Sequence, residues 1–174
     1  MIPKPPRRTD NTFIDLLDGY NGALHLALGR TFDVSVTATR LILSGILERH
    51  PKLKIFFAET RLGWVPFWLE HMDLWYQRHL GWAQEYLGFK PLKELPSHYV
   101  REHVYFSVQY ERVAVEERRH VGVDRIMFAT DFQHIENEWP NSRPIIDKIY
   151  ADIPEAEKRK IWAGNAVELF NLGN

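Results

Sequence analysis

Cysteine is absent from all 174 residues, which excludes disulfides, thiolate metal sites, iron–sulfur clusters and cysteine nucleophiles. Any metal must therefore rest on nitrogen and oxygen donors. Long apolar runs are missing too, and nothing approaches the roughly 20 consecutive apolar residues that a helical membrane span needs. The N-terminal MIPKPPRRTD carries basic residues and prolines with no apolar stretch behind them, so neither a signal peptide nor a membrane anchor is expected, and a cytoplasmic location is. Charge of one sign is not in excess either. The 22 Lys and Arg against 23 Asp and Glu leave a formal net charge of -1, which removes the electrostatic case for a nucleic-acid or membrane-surface binder. A Gly-rich phosphate loop, a dinucleotide fingerprint, a Gly-x-Ser-x-Gly elbow and a His-Glu-x-x-His helix are all lacking, so nucleotide chemistry and serine hydrolysis have no support.

What is present points to a folded domain. Hydrophobic residues make up 45% and charged ones 26%, a balance that disordered chains do not show. Aromatics are the one excess, with 6 Trp, 7 Tyr and 10 Phe. Rings of that size either enlarge the core or face a ligand or partner.

Periodicity then orders the chain. Residues 1–31 read as a lead segment, with Pro3, Pro5 and Pro6 blocking helix and the Asp18-Gly19 and Asn21-Gly22 pairs suggesting turns. Asp33 is a good N-cap for a helix running to about His50, with Ala38, Leu41, Ile42, Gly45 and Ile46 at helical spacing and Pro51 as its stop. Leu53 and Ile55 to Ala58 form an apolar run, expected to be a strand buried on both faces. Gly63 to Pro66 opens a second helix that reaches about Leu80, its apolar stripe made of Val65, Trp68, Leu69, Met72, Trp75 and Tyr76. Leu95 to Glu102 is a short helix, Val104 to Val108 a second buried strand, and Val113 to Val121 a helix stopped by Gly122. Arg125 to Ala129 is a third apolar run. Helices over Ser142 to Ala151, Pro154 to Trp162 and Ala166 to Leu172 complete the pattern. Strands alternating with helices predict an α/β fold with a parallel sheet.

In parallel α/β folds, functional groups gather just past the carboxyl ends of the strands. Here the first strand runs into Glu59, the second into Gln109 and the third into Asp131. Two of the three therefore deliver a carboxylate, which can hold a divalent metal or move a proton. For Glu59, a helix cap or an ion pair with Arg61 is an equally good account; for Asp131, a turn residue is the weaker alternative. The following loop adds His134, Glu136 and Glu138, donors suited to a hard or borderline metal. Glu136 and Glu138 read better as solvated surface, whereas His134 stands three residues from Asp131. His25, after Gly22-Ala23-Leu24, could end a strand, although no apolar run leads into it.

Taken together, four stretches resemble the C-terminal half of the amidohydrolase-related family, metal-dependent (β/α) barrels that include aminocarboxymuconate semialdehyde decarboxylase and resorcylate-type decarboxylases. They are Leu43 to Lys54, Glu59 to Phe67, Met127 to His134 with Trp139-Pro140-Asn141-Ser142, and Gly164 to Phe170. The resemblance covers about residues 32 to 172 and implies an incomplete (β/α)8 TIM barrel, strands 6 to 8 with their helices, over residues 32–174.

By that resemblance Asp131 matches the aspartate ending the last barrel strand, which binds metal, activates its water or handles a proton. The strand bearing Glu59 matches the sixth. Many members carry a histidine there followed by glycines, and this chain resembles the subgroup with an acidic residue and Gly-Trp-x-Pro. His134 matches the loop histidine after the aspartate. The implied assignments are Asp131 and Glu59 as catalytic residues, Asp131 and His25 as metal ligands, and His134, Trp64 and Arg61 as substrate contacts. The implied cofactor is a divalent metal, zinc ahead of others, and the partner is a small carboxylated or carbonyl substrate.

The family's paired first-strand histidines have no counterpart. The expectation is therefore the C-terminal portion of a metal-dependent hydrolase or decarboxylase, inactive without its other half. The competing expectation is a non-catalytic half-barrel interaction module that oligomerises through open sheet edges, using the helix that carries Trp64, Trp68, Trp75 and Trp82. The roughly 250 residues typical of such a barrel set the scale of the deficit.

Overall fold

The three apolar runs form three short strands: β1 (Ile55–Phe57), β2 (Val104–Val108) and β3 (Ile126–Phe128). The computed structural model describes residues 20–134 and 137–173, with backbone alone for 20–31. All pairing is parallel, in the order β1-β2-β3. Phe57 stands opposite Phe106, and Phe106 opposite Ile126. The expected α/β class and parallel sheet are thus present.

Successive side chains on a strand face opposite ways, so one register defines two faces. Ile55, Phe57, Val104, Phe106, Val108, Ile126 and Phe128 face the helices and pack in or against the core. Phe106 is fully buried, stacked on Phe57 at 6.1 Å and meeting the edge of Trp64 at 6.2 Å. The opposite face carries Phe56, Tyr105, Ser107 and Met127. Central β2 is buried throughout, as a parallel strand covered on both sides should be. β1 is not: Phe56, on the face away from the core, is 37% exposed. The expectation of burial on both faces therefore fails for β1.

The helices depart from expectation where glycine and packing override local signals. Helix α1 (Tyr20–Leu43) begins well before Asp33, which lies inside it and caps nothing, and the Asn21-Gly22 pair is helical. The helix ends at Ser44-Gly45, where Gly45 takes φ 70° and starts the separate α2 (Ile46–Arg49). Helix α3 (Val65–Leu87) runs two turns past Leu80. Gly81 does not break it, and the left-handed Gly88 ends it. Helix α4 (Pro96–His103) stands close to its expected place, and Asp73 on α3 anchors its first turn by accepting from the Ser97 N–H and hydroxyl.

The single helix expected before Gly122 is two, α5 (Arg112–Glu116) and α6 (Arg118–Val121), broken at Glu117. After β3 come α7 (Ser142–Ile149), α8 (Glu155–Arg159), a π turn over Lys160–Gly164, and α9 (Asn165–Phe170). Asn165 donates to the carbonyls of Val123 and Ile126, both at 2.7 Å, tying α9 to β3. Phe170 meets Phe56 edge-on at 5.9 Å on the other face of the sheet. The tryptophans divide: Trp68 is core, while Trp75 and Trp82 remain 42% and 46% exposed. Among the described residues no helix is long and apolar enough to cross a membrane.

Candidate metal centre

The carboxyl ends of the three strands form one rim, and each delivers a short turn to it. After β1 the chain turns sharply through Glu59 and Arg61, at φ 57° and 58°. After β3 it turns again at Asp131, φ 55°. A side chain in this left-handed region costs roughly 1–2 kcal/mol where glycine would cost little. Both rim carboxylates thus stand on strained backbone. Strain of that kind persists only when its surroundings enforce it, and it concentrates at functional sites.

The enforcing contacts are identifiable. Glu59 N–H donates to Ser107 Oγ on central β2 at 2.7 Å. Glu111, just past β2, accepts from Leu62 N–H at 2.8 Å and Gly63 N–H at 3.4 Å, capping the entry to α3. Trp64 Nε1 donates to the carbonyls of Thr60 and Arg61 at 3.0 and 3.2 Å. Gly63 is required by a close approach, since a Cβ there would lie 3.1 Å from Val113 Cγ1 on α5. On the other side, Ala129 N–H extends the ladder to Val108 O at 2.9 Å, which aligns Asp131 beside the end of β2.

Glu59, Asp131 and His134 converge. Each offers one donor atom, and the three atoms lie within 4.8 Å of one another. Asp131 Oδ2 is hydrogen-bonded to His134 Nδ1 at 2.8 Å. The Asp131 side chain is 13% exposed and that of His134 52%, so the cluster is walled by protein on one side and open on the other. Donors around one tetrahedral ion at about 2.1 Å stand about 3.4 Å apart, so closure asks the donors to draw together by roughly an ångström. Two carboxylates and an imidazole, with room for water or substrate, fit a divalent ion. Three protein ligands with a position left open is the ligand count of a catalytic site, here richer in oxygen than the histidine-dominated zinc sites.

The residues singled out from the sequence separate accordingly. Asp131, Glu59 and His134 come together within 4.8 Å, so His134, expected as a substrate contact, stands beside both carboxylates. His25 lies within α1 and not at a strand end, and its side chain is outside the described residues. Glu136 is also outside them. Trp64 packs on Trp68 at 5.2 Å in the helical layer and braces the Glu59 turn. The Arg61 charge acts on Glu111.

Two rim residues lacked any sequence signal for a role. Burial pushes the Glu111 carboxyl above its ordinary range, against the Leu62 N–H, the Arg61 charge and the Gly63 N–H. Its cap spans 49 residues of sequence, a distance that spacing rules do not reach. Gln109, 2% exposed, ends the central strand as a neutral side chain between two acidic neighbours.

Comparison with known proteins gives the chain a family and a fold. Residues 24–172 match the family model described as amidohydrolase. The chain is 28% identical over 150 residues to a gamma-resorcylate decarboxylase of Polaromonas sp. JS666, an alignment covering 80% of this chain and 41% of that protein. It is 27% identical over 177 residues to a gamma-resorcylate decarboxylase of a Rhizobium species, covering 98% of this chain and 49% of the relative. The chain thus spans about half the length of the curated relatives it matches.

Among solved structures, 5-carboxyvanillate decarboxylase from Sphingomonas paucimobilis superposes with TM-score 0.67 at 28% identity, over 82% of this chain and 41% of that one. A dihydroxybenzoic acid decarboxylase from Polaromonas sp. JS666, solved with manganese and 2-nitroresorcinol, shares the fold at TM-score 0.64 and 24% identity, over 83% and 41%.

Proposed function

The chain belongs to the amidohydrolase family, and from that premise we propose that it carries the metal-holding rim of a decarboxylase for hydroxylated aromatic carboxylates. The observation that carries the reading is the convergence of Glu59, Asp131 and His134 at the carboxyl ends of a parallel sheet, with both carboxylates on strained backbone. β1, β2 and β3 are, in this reading, the last three strands of an eight-stranded barrel, and turnover requires the strands that complete it. The curated relatives named as decarboxylases favour loss of CO2 over hydrolysis.

Glu59, Asp131 and His134 would hold the ion. When bound, a divalent metal at these donors supplies Lewis acidity toward an acidic oxygen of the substrate. An oxygen-rich donor set does not by itself select zinc over manganese, so the metal is proposed as divalent without further choice. In the reaction the bond between ring carbon and carboxylate breaks, CO2 leaves, and the ring carbon gains a proton. Asp131 is placed to hold and deliver that proton, oriented by its hydrogen bond to His134. Ser107, Glu111 and Trp64 would keep the Glu59 turn in position.

The test is equilibrium dialysis of the purified chain against manganese and zinc, with circular dichroism to follow folding. Wild type should bind one ion per chain. Asp131→Asn and His134→Ala should each lose at least about tenfold in affinity with the fold retained. Unchanged binding in both variants would refute the site.

A further inference from the structure

The central strand contributes one more side chain to the rim, and its chemistry is unspent. Gln109 follows Val108, which packs in the helix-facing core, and precedes Tyr110, whose ring meets Phe128 edge-on at 6.0 Å on that same side. Alternation along the strand therefore sends Gln109 to the opposite face. There it shares the side of Ser107, the residue whose Oγ holds the Glu59 N–H. Gln109 directly follows the last paired residue of central β2, whose neighbours β1 and β3 run into the turns that carry Glu59 and Asp131.

Gln109 is 2% exposed, and its Nε2 is buried without a hydrogen-bond partner among the described residues. A buried amide left unpaired costs about 1–3 kcal/mol, so native chains rarely keep one without cause. It is also a donor between two acceptors, since both neighbouring strands end in carboxylates. A neutral donor can approach an anionic ligand without adding a charge that would compete for the metal-holding carboxylates. A lysine or arginine at the same place would pair with Glu59 or Asp131 instead.

We propose that Gln109 is a substrate-binding residue whose amide donates to an acceptor oxygen of an aromatic acid bound at the Glu59, Asp131 and His134 rim. The inference rests on reading that rim as a divalent-metal site. It adds a specificity element: the acid must present an oxygen over the end of β2, either from its carboxylate or from a ring hydroxyl beside it. A site built to hydrogen-bond such an oxygen discriminates against analogues that lack it, because the buried donor is then left unpaired.

The test compares wild type, Gln109→Leu and Gln109→Glu, each loaded with manganese and titrated calorimetrically with 2,6-dihydroxybenzoate, benzoate and resorcinol. Manganese uptake and the ligand-free melting midpoint are measured in parallel. The expected result is that Gln109→Leu takes up manganese as wild type does and melts no lower, since no hydrogen bond is lost, yet binds 2,6-dihydroxybenzoate about tenfold more weakly. A penalty that persists with benzoate assigns the contact to the carboxylate, and one that persists with resorcinol assigns it to a ring hydroxyl; either supports the proposal. Gln109→Glu keeps the size but replaces the donor by an anionic acceptor, so its loss should be at least as large. That variant decides the matter if Gln109→Leu does not fold.

Equal affinity of wild type and variants for all three probes overturns the role of Gln109 and leaves the metal reading intact. So does a manganese-loaded wild type that binds none of the probes, or a Gln109→Leu that melts markedly lower, which would make the amide structural. Wild type that takes up no manganese overturns the metal reading, and the inference falls with it.

Discussion

Ser107 Oγ on the central strand accepts the backbone N–H of Glu59 at 2.7 Å, so a hydroxyl on β2 holds the turn that presents a rim carboxylate from β1. Ser107 is 2% exposed, so water does not stand ready to replace its hydroxyl. Ser107→Ala should therefore leave a half-buried N–H unpaired and cost about 1–3 kcal/mol in urea unfolding. Metal affinity should fall about tenfold, as it does when outer supports of a metal site are removed. A variant as stable as wild type with equal affinity would mean that the turn is held by other contacts.

Asp131 at φ 55° allows strain to be separated from chemistry. Asp131→Gly and Asp131→Ala both delete the carboxylate and should both lose the metal. Only alanine keeps a Cβ in the left-handed region, so the glycine variant should be more stable than the alanine variant by about 1 kcal/mol in thermal or urea melts. An alanine variant at least as stable as the glycine one would show the backbone to be relaxed there.

Glu111 makes stability depend on pH in the direction opposite to most carboxylates. Its folded-state pKa is raised above the ordinary 4.5, chiefly by burial. The folded state then holds the proton more tightly than the unfolded state, so the favourable contribution is complete below about 4.5 and is lost as pH rises through the raised folded value. Glu111→Gln retains an acceptor for Leu62 N–H and cannot ionise. The stability difference should shift in favour of this variant between about pH 4 and about pH 7. A difference independent of pH, measured by urea unfolding across that range, would contradict the burial argument.

Phe106 tests the layer on which the rim rests. It is fully buried between Phe57 and Trp64, at the centre of the central strand. Phe106→Ala should cost about 3–5 kcal/mol, read as a lowered urea midpoint. A cost near that of a surface substitution would place the core elsewhere.

The two expected strands on either side of α5 and α6 were legible because burial leaves a strong mark on composition. Val104 to Val108 and Arg125 to Ala129 read as strands, and β2 and β3 (Ile126–Phe128) stand there. The helix boundaries were less so. Asp33 has the chemistry of a cap, yet α1 runs through it, because packing on α3 and α4 outweighs one local preference. The break at Glu117 and the extension of α3 past Gly81 likewise carried no local signal.

The candidate site divides along the same line. A carboxylate at the end of an apolar run is visible in the sequence, which is why Glu59 and Asp131 could be named from it, together with the parallel α/β class. That His134 offers a donor within 4.8 Å of both, that Ser107 and Glu111 hold the Glu59 turn from 48 and 49 residues away, and that both carboxylates occupy left-handed backbone were decided by tertiary structure alone. Gln109 belongs to that second group: a neutral amide at a strand end has no signature until burial removes its water and its neighbours decline to replace it. Composition and period report how residues partition between core and solvent. Which donors converge depends on strand register and turn geometry, and those are set by long-range contacts.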